Sequence, residues 1–595
     1  MPELDSSDAG GGAAPDFQTG NAHAGKTRED RRAKKIGTLA GAKKRPSLLY
    51  YESLLFSAPN PALGAQGSAS PVMRRLASAA AARCSRRSLA SAAEVSTSAS
   101  AREAPADTIF ALSTAPGRAG VAVVRVSGPA AHEVLRLLPP AAAAADSSAR
   151  ARAPRPRHRE ARPTAFVCPD SGETLDRGIL LWFDGPRSFT GEDVAELHVH
   201  GSQAVVRAVL AALGRLRAPC AAGGAVRHAE PGEFMRRAFR NGKLDLTQAE
   251  GLADLLDAET EAQRRQALSQ AGGRLRRTYE RWRRALLRAH AHVEATLDFG
   301  EDDEVGADVF RAAAAESGPV AALRQELERH LCAPPSGELV RAGVRVCLVG
   351  PPNAGKSSLL NALAGREVAI VSDAPGTTRD AVETGLVFGG RKAVVADTAG
   401  ARAATEPVEA EGVRRAERRA ADADVVVLVL DGASFEGVRA LPRWALERAD
   451  VLVLNKADLG CGDDAPLRDA SAGRLRAGPG PGPRRVPTAR VSCATGRGLD
   501  AFADVLRAAV EARAGEAAGD GAGVAAITRS RHRARLRECV HHLRAFAAAA
   551  ASETGRHEVA AEELRLAARA LGRVTGAVDV EELLDVIFSD FCIGK

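Results

Sequence analysis

The segment 350–357 matches the phosphate-binding loop pattern G-x-x-x-x-G-K-[ST], and this match limits the possible folds of the chain more than any other feature. It follows an apolar strand predicted at 344–349 and opens a helix predicted at 358–363. In such a strand–loop–helix unit, backbone N–H groups point at phosphates bound at the helix N-terminus. Strand and helix patterns alternate through residue 515, which predicts a doubly wound parallel sheet over residues 341–515.

Two residues of this loop and one later motif predict how phosphates and a divalent cation are held. Lys356 can reach the β- and γ-phosphates, and the Ser357 hydroxyl can bind Mg²⁺. An apolar strand at 392–396 is followed by Asp397 and Gly400 in the pattern D-x-x-G. The Asp397 carboxylate is therefore predicted near Mg²⁺, and the Gly400 N–H near the γ-phosphate.

A further motif predicts that the base is guanine. Asn455, Lys456 and Asp458 form N-K-x-D at the end of an apolar strand, and the triplet 492–494 is predicted to close the base pocket. The Asp458 carboxylate can accept hydrogen bonds from guanine N1–H and N2–H₂, a donor pair that adenine lacks. The order and spacing of these motifs predict a GTPase.

Ala401 occupies the position of the glutamine that orients the attacking water in Ras-like GTPases. Asn353 offers a side-chain carbonyl to a monovalent cation, and residues 372–380 form a second oxygen-rich loop that includes the candidate catalytic residues Arg379 and Asp380. A cation between the two loops would stabilise charge that develops on the phosphates. The predicted nucleotide-binding residues are Asn353, Ala354, Gly355, Lys356, Ser357, Ser358, Thr377, Thr378, Asp397, Gly400, Asn455, Lys456, Asp458, Ser492, Cys493 and Ala494.

The rest of the chain divides by composition and periodicity. Residues 107–227 show strand patterns and one helix, which predict an N-terminal α/β domain. Residues 228–340 and 525–595 are helical in pattern, so we predict one helical domain that the domain at 341–515 interrupts. The expected fold is thus multidomain, with α/β and all-α parts and an inserted P-loop GTPase domain.

Charge and cysteine content exclude several classes of protein. The net charge is +8, but residues 1–106 hold 15 Lys and Arg against 9 Asp and Glu, so the remainder is nearly neutral and any RNA site must be a local patch. The nine cysteines form no C-x-x-C pair, which argues against a zinc module or a disulfide framework. No apolar run is long enough to predict membrane insertion.

The N-terminal tail, residues 1–106, has little apolar periodicity and is predicted to be disordered or removed. Within it, residues 73–93 contain five arginines and no acidic residue, a composition typical of an organelle transit peptide. A low-complexity linker is the alternative. We expect translation to begin at Met73 and the mature protein to lie in an organellar matrix or stroma, the mitochondrion being favoured over the chloroplast. Mapping the mature N-terminus by mass spectrometry tests this, because retention of residues 1–72 would refute it.

From about residue 107 to the end, the chain resembles the MnmE (TrmE) family of tRNA-modification GTPases. The most specific matches lie outside the GTPase domain. They are PGRAGV at 116–121, SFTGED at 188–193, PGEF at 231–234, NGKLDL at 241–246, QAE at 248–250 and FCIGK at 591–595.

This resemblance implies a fold and a reaction. The N-terminal domain would bind a 5-formyl-tetrahydrofolate-type folate and form a homodimer, and K⁺ would drive pairing of the GTPase domains. The reaction would be GTP-dependent addition of an aminomethyl-type group to C5 of the wobble uridine of certain tRNAs, with the one-carbon unit supplied by the folate. The partner would be an FAD-dependent protein of the MnmG (GidA) family. The amine that is added stays open.

The resemblance also implies individual roles. The K⁺ ligands would be Asn353, Ser372, Ala374 and Thr377, and the Mg²⁺ ligands Ser357 and Thr378. Glu409 would position the attacking water, although Pro407 and Ala410 alter the family pattern around it. The folate contacts would be Arg125, Glu196, Lys243 and Lys595, and Cys592 would be either a catalytic thiol or a packed structural cysteine.

Two other functions remain open. One is a ribosome-assembly GTPase that binds RNA without modifying it, although assembly GTPases lack the N-terminal signature and the terminal FCIGK. The other is a divergent paralogue that binds GTP without turnover, although Asn353, Thr378 and Glu409 are all present.

Overall fold

The computed structural model describes most of the chain from residue 107 onward. The described residues are 107–139, 156–216, 225–299, 315, 318–365, 383–397, 407–433, 443–460, 486–515, 526–551, 557–578, 584, 585, 587, 588, 591 and 594. The predicted tail at 1–106 lies outside them.

The N-terminal part is a six-stranded sheet covered by one α-helix and a 3-10 helix at Ala131–Leu137. Its strands are β1 (Thr108–Leu112), β2 (Ala119–Ser127), β3 (Arg162–Val167), β4 (Thr174–Phe183), β5 (Val194–Gly201) and β6 (Val226–His228), in the order β3-β4-β5-β2-β1-β6. Neighbours are antiparallel except β6, which pairs parallel with β1. Helix α1 (Gln203–Gly214) is capped by the Ser202 hydroxyl, which accepts from the N–H of Val205. The predicted α/β content is present, and β6 is a strand that the sequence pattern did not indicate.

In the described residues that follow, six helices lead to the second sheet. They are α2 (Glu233–Arg240), α3 (Leu246–Leu256), α4 (Glu261–Ala271), α5 (Arg274–Phe299), α6 (Pro319–Cys332) and α7 (Ser336–Ala342). Helices α3 and α4 each begin with a capping box. The side chains of Asp245 and Thr260 accept from the backbone N–H groups of Gln248 and Gln263. The side chains of these glutamines accept in turn from the backbone N–H groups of Asp245 and Thr260.

The second sheet is the predicted doubly wound one. Its elements in chain order are β7 (Val344–Val349), α8 (Lys356–Ala364), β8 (Glu383–Phe388), β9 (Arg391–Asp397), α9 (Pro407–Asp422), β10 (Val425–Asp431), α10 (Arg443–Arg448), β11 (Val451–Asn455), β12 (Thr488–Arg490) and α11 (Leu499–Ala514). The strand order is β12-β11-β10-β7-β9-β8, with every pair parallel except β8 with β9. Central strand β10 is buried over Val425–Leu430, as expected for a parallel strand with both faces covered.

The helical domain is assembled from both sides of this insertion. Two helices follow the second sheet, α12 (Ser530–Ala550) and α13 (His557–Thr575). One hydrophobic core contains Trp282 and Leu286 from α5, Leu327 from α6, Leu543 from α12 and Leu571 from α13. Helices before and after the second sheet therefore share one hydrophobic core.

A buried ionic cluster also joins the two halves. Glu250 of α3 is 1% exposed and accepts hydrogen bonds from Arg531 Nε at 2.6 Å and His532 Nε2 at 2.9 Å. His532 is itself 0% exposed. Arg531 and His532, which are 281 and 282 positions from Glu250 in the chain, thus both bond to its buried carboxylate.

Helix α7, which leads into β7, is held by the side chains of α4. Gln263 Nε2 donates to the carbonyl of Arg341 at 3.1 Å, and Gln266 Nε2 donates to the carbonyl of Gly337 at 2.8 Å. The Arg341 carbonyl lies in the last turn of α7, where carbonyls lack intrahelical partners, and the two amides together fix α7 against α4.

The two ends of the inserted domain meet at this junction. Asp254 accepts from Arg341, before β7, at 2.8 Å and from Arg529, before α12, at 2.7 Å. Gly337 packs so closely on this exit segment that a Cβ would lie 2.5 Å from the carbonyl oxygen of Ile527. The inserted domain therefore leaves and re-enters the helical domain at nearly one point.

Candidate active site

The phosphate-binding loop lies between β7 and α8, as predicted. Gly355 adopts a φ of +89° at the start of α8, and a Cβ there would collide with the side-chain amide of Asn455. Asn353 also has a positive φ, +61°. Gly355 is thus required both by its conformation and by the close approach of Asn455.

Lys356 and Ser357 are arranged for phosphate and Mg²⁺. The Lys356 side chain is buried, and its Nζ donates to the carbonyls of Gly350 at 2.9 Å and Pro351 at 2.8 Å. Burial lowers the pKa of Lys356, while the nearby Asp397 charge opposes that shift. Ser357 Oγ donates to Asp397 Oδ2 at 2.5 Å. A hydroxyl beside a carboxylate is a set of hard oxygen donors that fits Mg²⁺.

The base-binding motifs are tied to the phosphate-binding loop through Asn455. Its Nδ2 donates to the carbonyl of Ala354 at 3.0 Å, and its Oδ1 accepts from the N–H of Cys493 at 3.2 Å. Ser492 Oγ donates to Asp458 Oδ1 at 2.6 Å. Asn455, Ser492 and Cys493 therefore form one hydrogen-bonded unit that sets the position of the Asp458 carboxylate.

Asp431 belongs to the same site although sequence reasoning did not single it out. It ends β10, and its Oδ2 accepts from Lys456 Nζ at 2.7 Å. Burial would raise the pKa of Asp431, but the Lys456 hydrogen bond outweighs burial and lowers it. The signal was available, because an acidic residue at the carboxyl end of a central parallel strand lies where such sheets bind ligands.

A second polar site lies in the N-terminal sheet. Arg125 of β2 donates to Glu196 of β5 through Nε at 2.9 Å and Nη2 at 2.8 Å. The Arg125 guanidinium also lies 5.3 Å from the ring centroid of Phe189 and 5.8 Å from that of Phe234. Burial alone would raise the pKa of Glu196, but the adjacent His198 side chain and the Arg125 charge lower it to about 2.

Lys243 contacts the loop that connects β4 to β5. Its Nζ donates to the carbonyl of Pro186 at 2.7 Å, and its side chain lies against Gly191. Phe189, under the Arg125 guanidinium, belongs to the same loop. An arginine against two aromatic rings, with Lys243 held on the loop that carries one of them, is a cationic arrangement that fits a planar, anionic ligand such as a folate.

Comparisons with known proteins match both parts of the chain in which these two sites lie. A family model described as "MnmE helical domain" matches residues 246–592, and one described as "GTP-binding protein TrmE N-terminus" matches residues 108–243. The tRNA modification GTPase MnmE of Parvibaculum lavamentivorans is 51% identical over 491 residues, which cover 82% of this chain and 99% of that protein. The chain belongs to the MnmE family. It is a GTPase.

MnmE relatives include an organellar protein. The mitochondrial 5-taurinomethyluridine-[tRNA] synthase subunit GTPB3 of Homo sapiens is 44% identical over 502 residues, which cover 82% of this chain and 93% of that one. The MnmE protein of Rhodospirillum rubrum is 49% identical over 487 residues. No helix among the described residues is long and apolar enough to span a membrane.

Several residues with implied MnmE-family roles lie outside the described part of the chain. They are Ser372, Ala374, Thr377, Thr378, Arg379, Asp380, Gly400, Cys592 and Lys595. Glu409 lies in the backbone of α9, and its side chain is outside the description too. These roles stay predictions. Asn353, Ser358 and Ala494 are exposed at the nucleotide site.

Proposed function

We propose that this chain is an organellar tRNA-modifying GTPase that acts on the wobble uridine. GTP hydrolysis would drive addition of an aminomethyl-type group to uridine C5, with a folate as one-carbon donor and an FAD-dependent MnmG-like protein as partner. One observation supports the proposal above all: a single chain combines the Asp458 site of the second sheet, the Arg125–Glu196 pair of the N-terminal sheet and a helical core.

In the proposed mechanism, the residues of the GTPase site have separate roles in phosphate transfer. Lys356 would balance charge on the β- and γ-phosphates, while Ser357 and Thr378 would hold Mg²⁺. Asn353, Ser372, Ala374 and Thr377 would hold K⁺, which takes the part that an arginine side chain plays in other GTPases. Glu409 would orient the attacking water, since Ala401 cannot.

The polar site around Arg125 and Glu196 in the N-terminal sheet would position the folate. The Arg125 guanidinium lies against two aromatic rings, so it can bind an anionic or hydrogen-bonding edge of the pterin or its tail. The ionised Glu196 accepts hydrogen bonds and would orient pterin N–H groups. Lys243 and Lys595 would neutralise carboxylates of the ligand. Pairing of two chains through this domain is part of the same proposal.

The function is tested by the wobble nucleosides of organellar tRNA. A knockout should lose the C5-modified uridine, and the wild-type gene should restore it. The variant Lys356→Ala should fail to restore it at equal protein level, because phosphate binding is lost. Mass spectrometry of digested tRNA measures this. Wobble uridines that stay modified in the knockout would overturn the proposal.

Potassium activation gives a separate test in purified protein. GTP hydrolysis should be at least about tenfold faster in KCl than in NaCl at equal ionic strength, because a well-placed charge stabilises the transition state strongly. Asn353→Ala should remove most of that difference without weakening GTP binding. Glu409→Ala should slow hydrolysis in both salts, again at unchanged GTP affinity. Equal wild-type rates in the two salts would eliminate the cation from the mechanism.

A further inference from the structure

The first half of α5 carries a concentration of positive charge. Residues 274–288 contain seven arginines and one glutamate, a net charge of +6. The chain beyond its N-terminal tail is nearly neutral as a whole. This segment is therefore a local basic patch of the kind that an RNA site requires.

Four of these arginines are exposed and lie along one side of the helix. We call them the arginine stripe: Arg277, Arg281, Arg284 and Arg288. Their separations of four, three and four residues place them on one face of a helix that has 3.6 residues per turn. Trp282 and Leu286, on the opposite face, lie in the hydrophobic core of the helical domain. The stripe therefore points away from the core and extends for about 16 Å along the helix.

Contacts within the chain leave most hydrogen-bond donors of the stripe available to a partner. Arg277 Nη1 donates to the carbonyl of Gly272 at 2.9 Å, and Arg284 Nε donates to the carbonyl of Glu280 at 3.2 Å. Arg288 forms no hydrogen bond or ion pair within the described part of the chain. Since a guanidinium has five N–H donors, one bond to a neutral carbonyl leaves both its charge and most of its donors unused.

One residue of the stripe has an acidic partner. Arg281 Nη2 lies 2.5 Å from Oε1 of Glu326, which belongs to α6. This pair neutralises one charge and joins α5 to α6 at the surface. The other three arginines have no acidic counterion among the residues that the structure describes, so the stripe keeps a net positive charge.

The chemistry of the stripe favours a nucleic-acid backbone over a membrane or a protein surface. Arginine binds phosphate through paired N–H donors, and a nucleic acid presents a row of phosphates to a row of arginines. A helix that lies on a membrane needs a free apolar face, but the apolar face of α5 is buried in the helical core. Protein interfaces favour exposed aromatic residues, whereas Tyr279 and Trp282 of α5 are 0% and 1% exposed.

We propose that the arginine stripe of α5 binds the phosphate backbone of the substrate tRNA. The proposal rests on the proposed function for the identity of the RNA, and it adds the surface of the chain that holds it. Phosphates are alike in every tRNA, so the stripe supplies affinity and orientation and does not read the wobble base.

The double variant Arg284→Gln/Arg288→Gln tests the stripe in the full-length protein. Both positions are exposed and glutamine is a good helix former, so the fold should be kept. Affinity for an unmodified tRNA transcript should fall at least about tenfold at low salt. The slope of log affinity against log salt concentration should become less steep by about 1.4 to 1.8, the contribution of two phosphate contacts. Fluorescence anisotropy of labelled tRNA over a series of KCl concentrations measures both.

A matched control removes the same charge elsewhere in the helical domain. Arg264 and Arg265 of α4 are exposed and both pair with Glu261. The variant Arg264→Gln/Arg265→Gln should bind tRNA within about twofold of the wild type and with the same salt slope. Equal losses in the two double variants would show an effect of net charge alone and would refute the stripe as a binding surface. So would wild-type affinity in Arg284→Gln/Arg288→Gln, or a wild type that binds no tRNA.

Two further probes separate the phosphate backbone from other ligands. A tRNA with cytidine at the wobble position should lose affinity for Arg284→Gln/Arg288→Gln by the same factor, because phosphate contacts carry no sequence information. A loss confined to the tRNA with a wobble uridine would contradict the proposal. Vesicles that contain phosphatidylserine test a membrane surface. Vesicle binding that the double variant loses, with tRNA binding retained, would assign the stripe to lipid and reject the proposal.

Modification activity connects the stripe to the proposed function. With the FAD-dependent partner present, Arg284→Gln/Arg288→Gln should raise the KM for tRNA about tenfold and leave kcat unchanged, since the stripe binds RNA away from the reacting base. GTP hydrolysis without RNA should be unaltered. A lower kcat at an unchanged KM would contradict a binding role. If the wild type modifies no uridine, the proposed function fails, while the tRNA titrations still decide whether the stripe binds RNA.

Discussion

Replacing Asp458 with asparagine should weaken GTP binding about 10²- to 10³-fold and leave the fold intact. Ser492 Oγ fixes the Asp458 carboxylate at 2.6 Å, so the substituted side chain would keep its place. Asparagine retains one acceptor oxygen, but its NH₂ group would meet guanine N1–H or N2–H₂, a donor against a donor. Losing one charge-assisted hydrogen bond and creating this conflict costs about 3–4 kcal/mol.

The measurement is the Kd for GTP by titration calorimetry, and the matched control is Asp504→Asn. Asp504 lies on α11 of the same domain and pairs with exposed Arg507, so its substitution should leave the Kd unaltered. Xanthosine triphosphate provides a positive readout, because its C2 carbonyl can accept from the new NH₂ group and its N1–H can donate to the remaining oxygen. It should therefore bind Asp458→Asn more tightly than the wild type. A GTP Kd that Asp458→Asn leaves unchanged would contradict the base-reading role.

Removing the buried carboxylate of Glu250 should produce the largest loss of stability. Glu250→Ala removes the counterion of the partly buried Arg531 and the hydrogen-bond partner of the fully buried His532, and breaking a buried pair in this way costs about 3–5 kcal/mol. Amide hydrogen exchange in α3 and α12 should become faster by about two to three powers of ten. Glu261→Ala is the control, because Glu261 pairs with Arg264 and Arg265 in solvent and its loss should not alter exchange. Wild-type exchange rates in Glu250→Ala would refute the structural role of this cluster.

The same cluster predicts a loss of stability in acid. Burial would raise the pKa of Glu250, but the adjacent His532 and Arg531 outweigh burial and lower it below its ordinary value. Burial likewise lowers the pKa of His532 below 6.5, against the attraction of Glu250. In both cases the unfolded chain binds protons that the folded chain does not, so stability is lost as pH falls below about 6.5 for His532 and about 4.5 for Glu250. Exchange in α12, corrected for its intrinsic pH dependence, should show this loss in the wild type, and the Glu250 part should vanish in Glu250→Ala.

The GTPase domain was predictable because its signals are local. A phosphate-binding loop between an apolar strand and a helix, followed by D-x-x-G and N-K-x-D at strand ends, specifies the order of elements. The structure has β7, α8, β9 and β11 where those signals place them. Each motif combines a few neighbouring residues with a fixed backbone conformation, so no knowledge of distant contacts is required.

The contacts that assemble these elements were not predictable in the same way. Asn455 was assigned to the base, yet its side chain joins the phosphate-binding loop to the triplet at 492–494, and the partners are 101 and 38 residues away. Glu250 belongs to the motif QAE at 248–250, but the sequence assigned it no role, and its partner His532 is 282 residues away. Periodicity reports which face of an element is buried. It does not report which distant polar group meets a buried charge there.

The adjacency of Gly337 and Ile527 has a consequence for how the chain acquires its fold. If the intervening segment of about 190 residues were still unstructured, bringing these two positions together would cost roughly 3 kcal/mol more than closing a five-residue loop. A folded GTPase domain removes that entropic penalty, since Gly515 at the end of exit helix α11 already lies against Ser336, shortly before entry strand β7. The two halves of the helical core should therefore combine late, after the insertion has folded, even though the first half is synthesised before it.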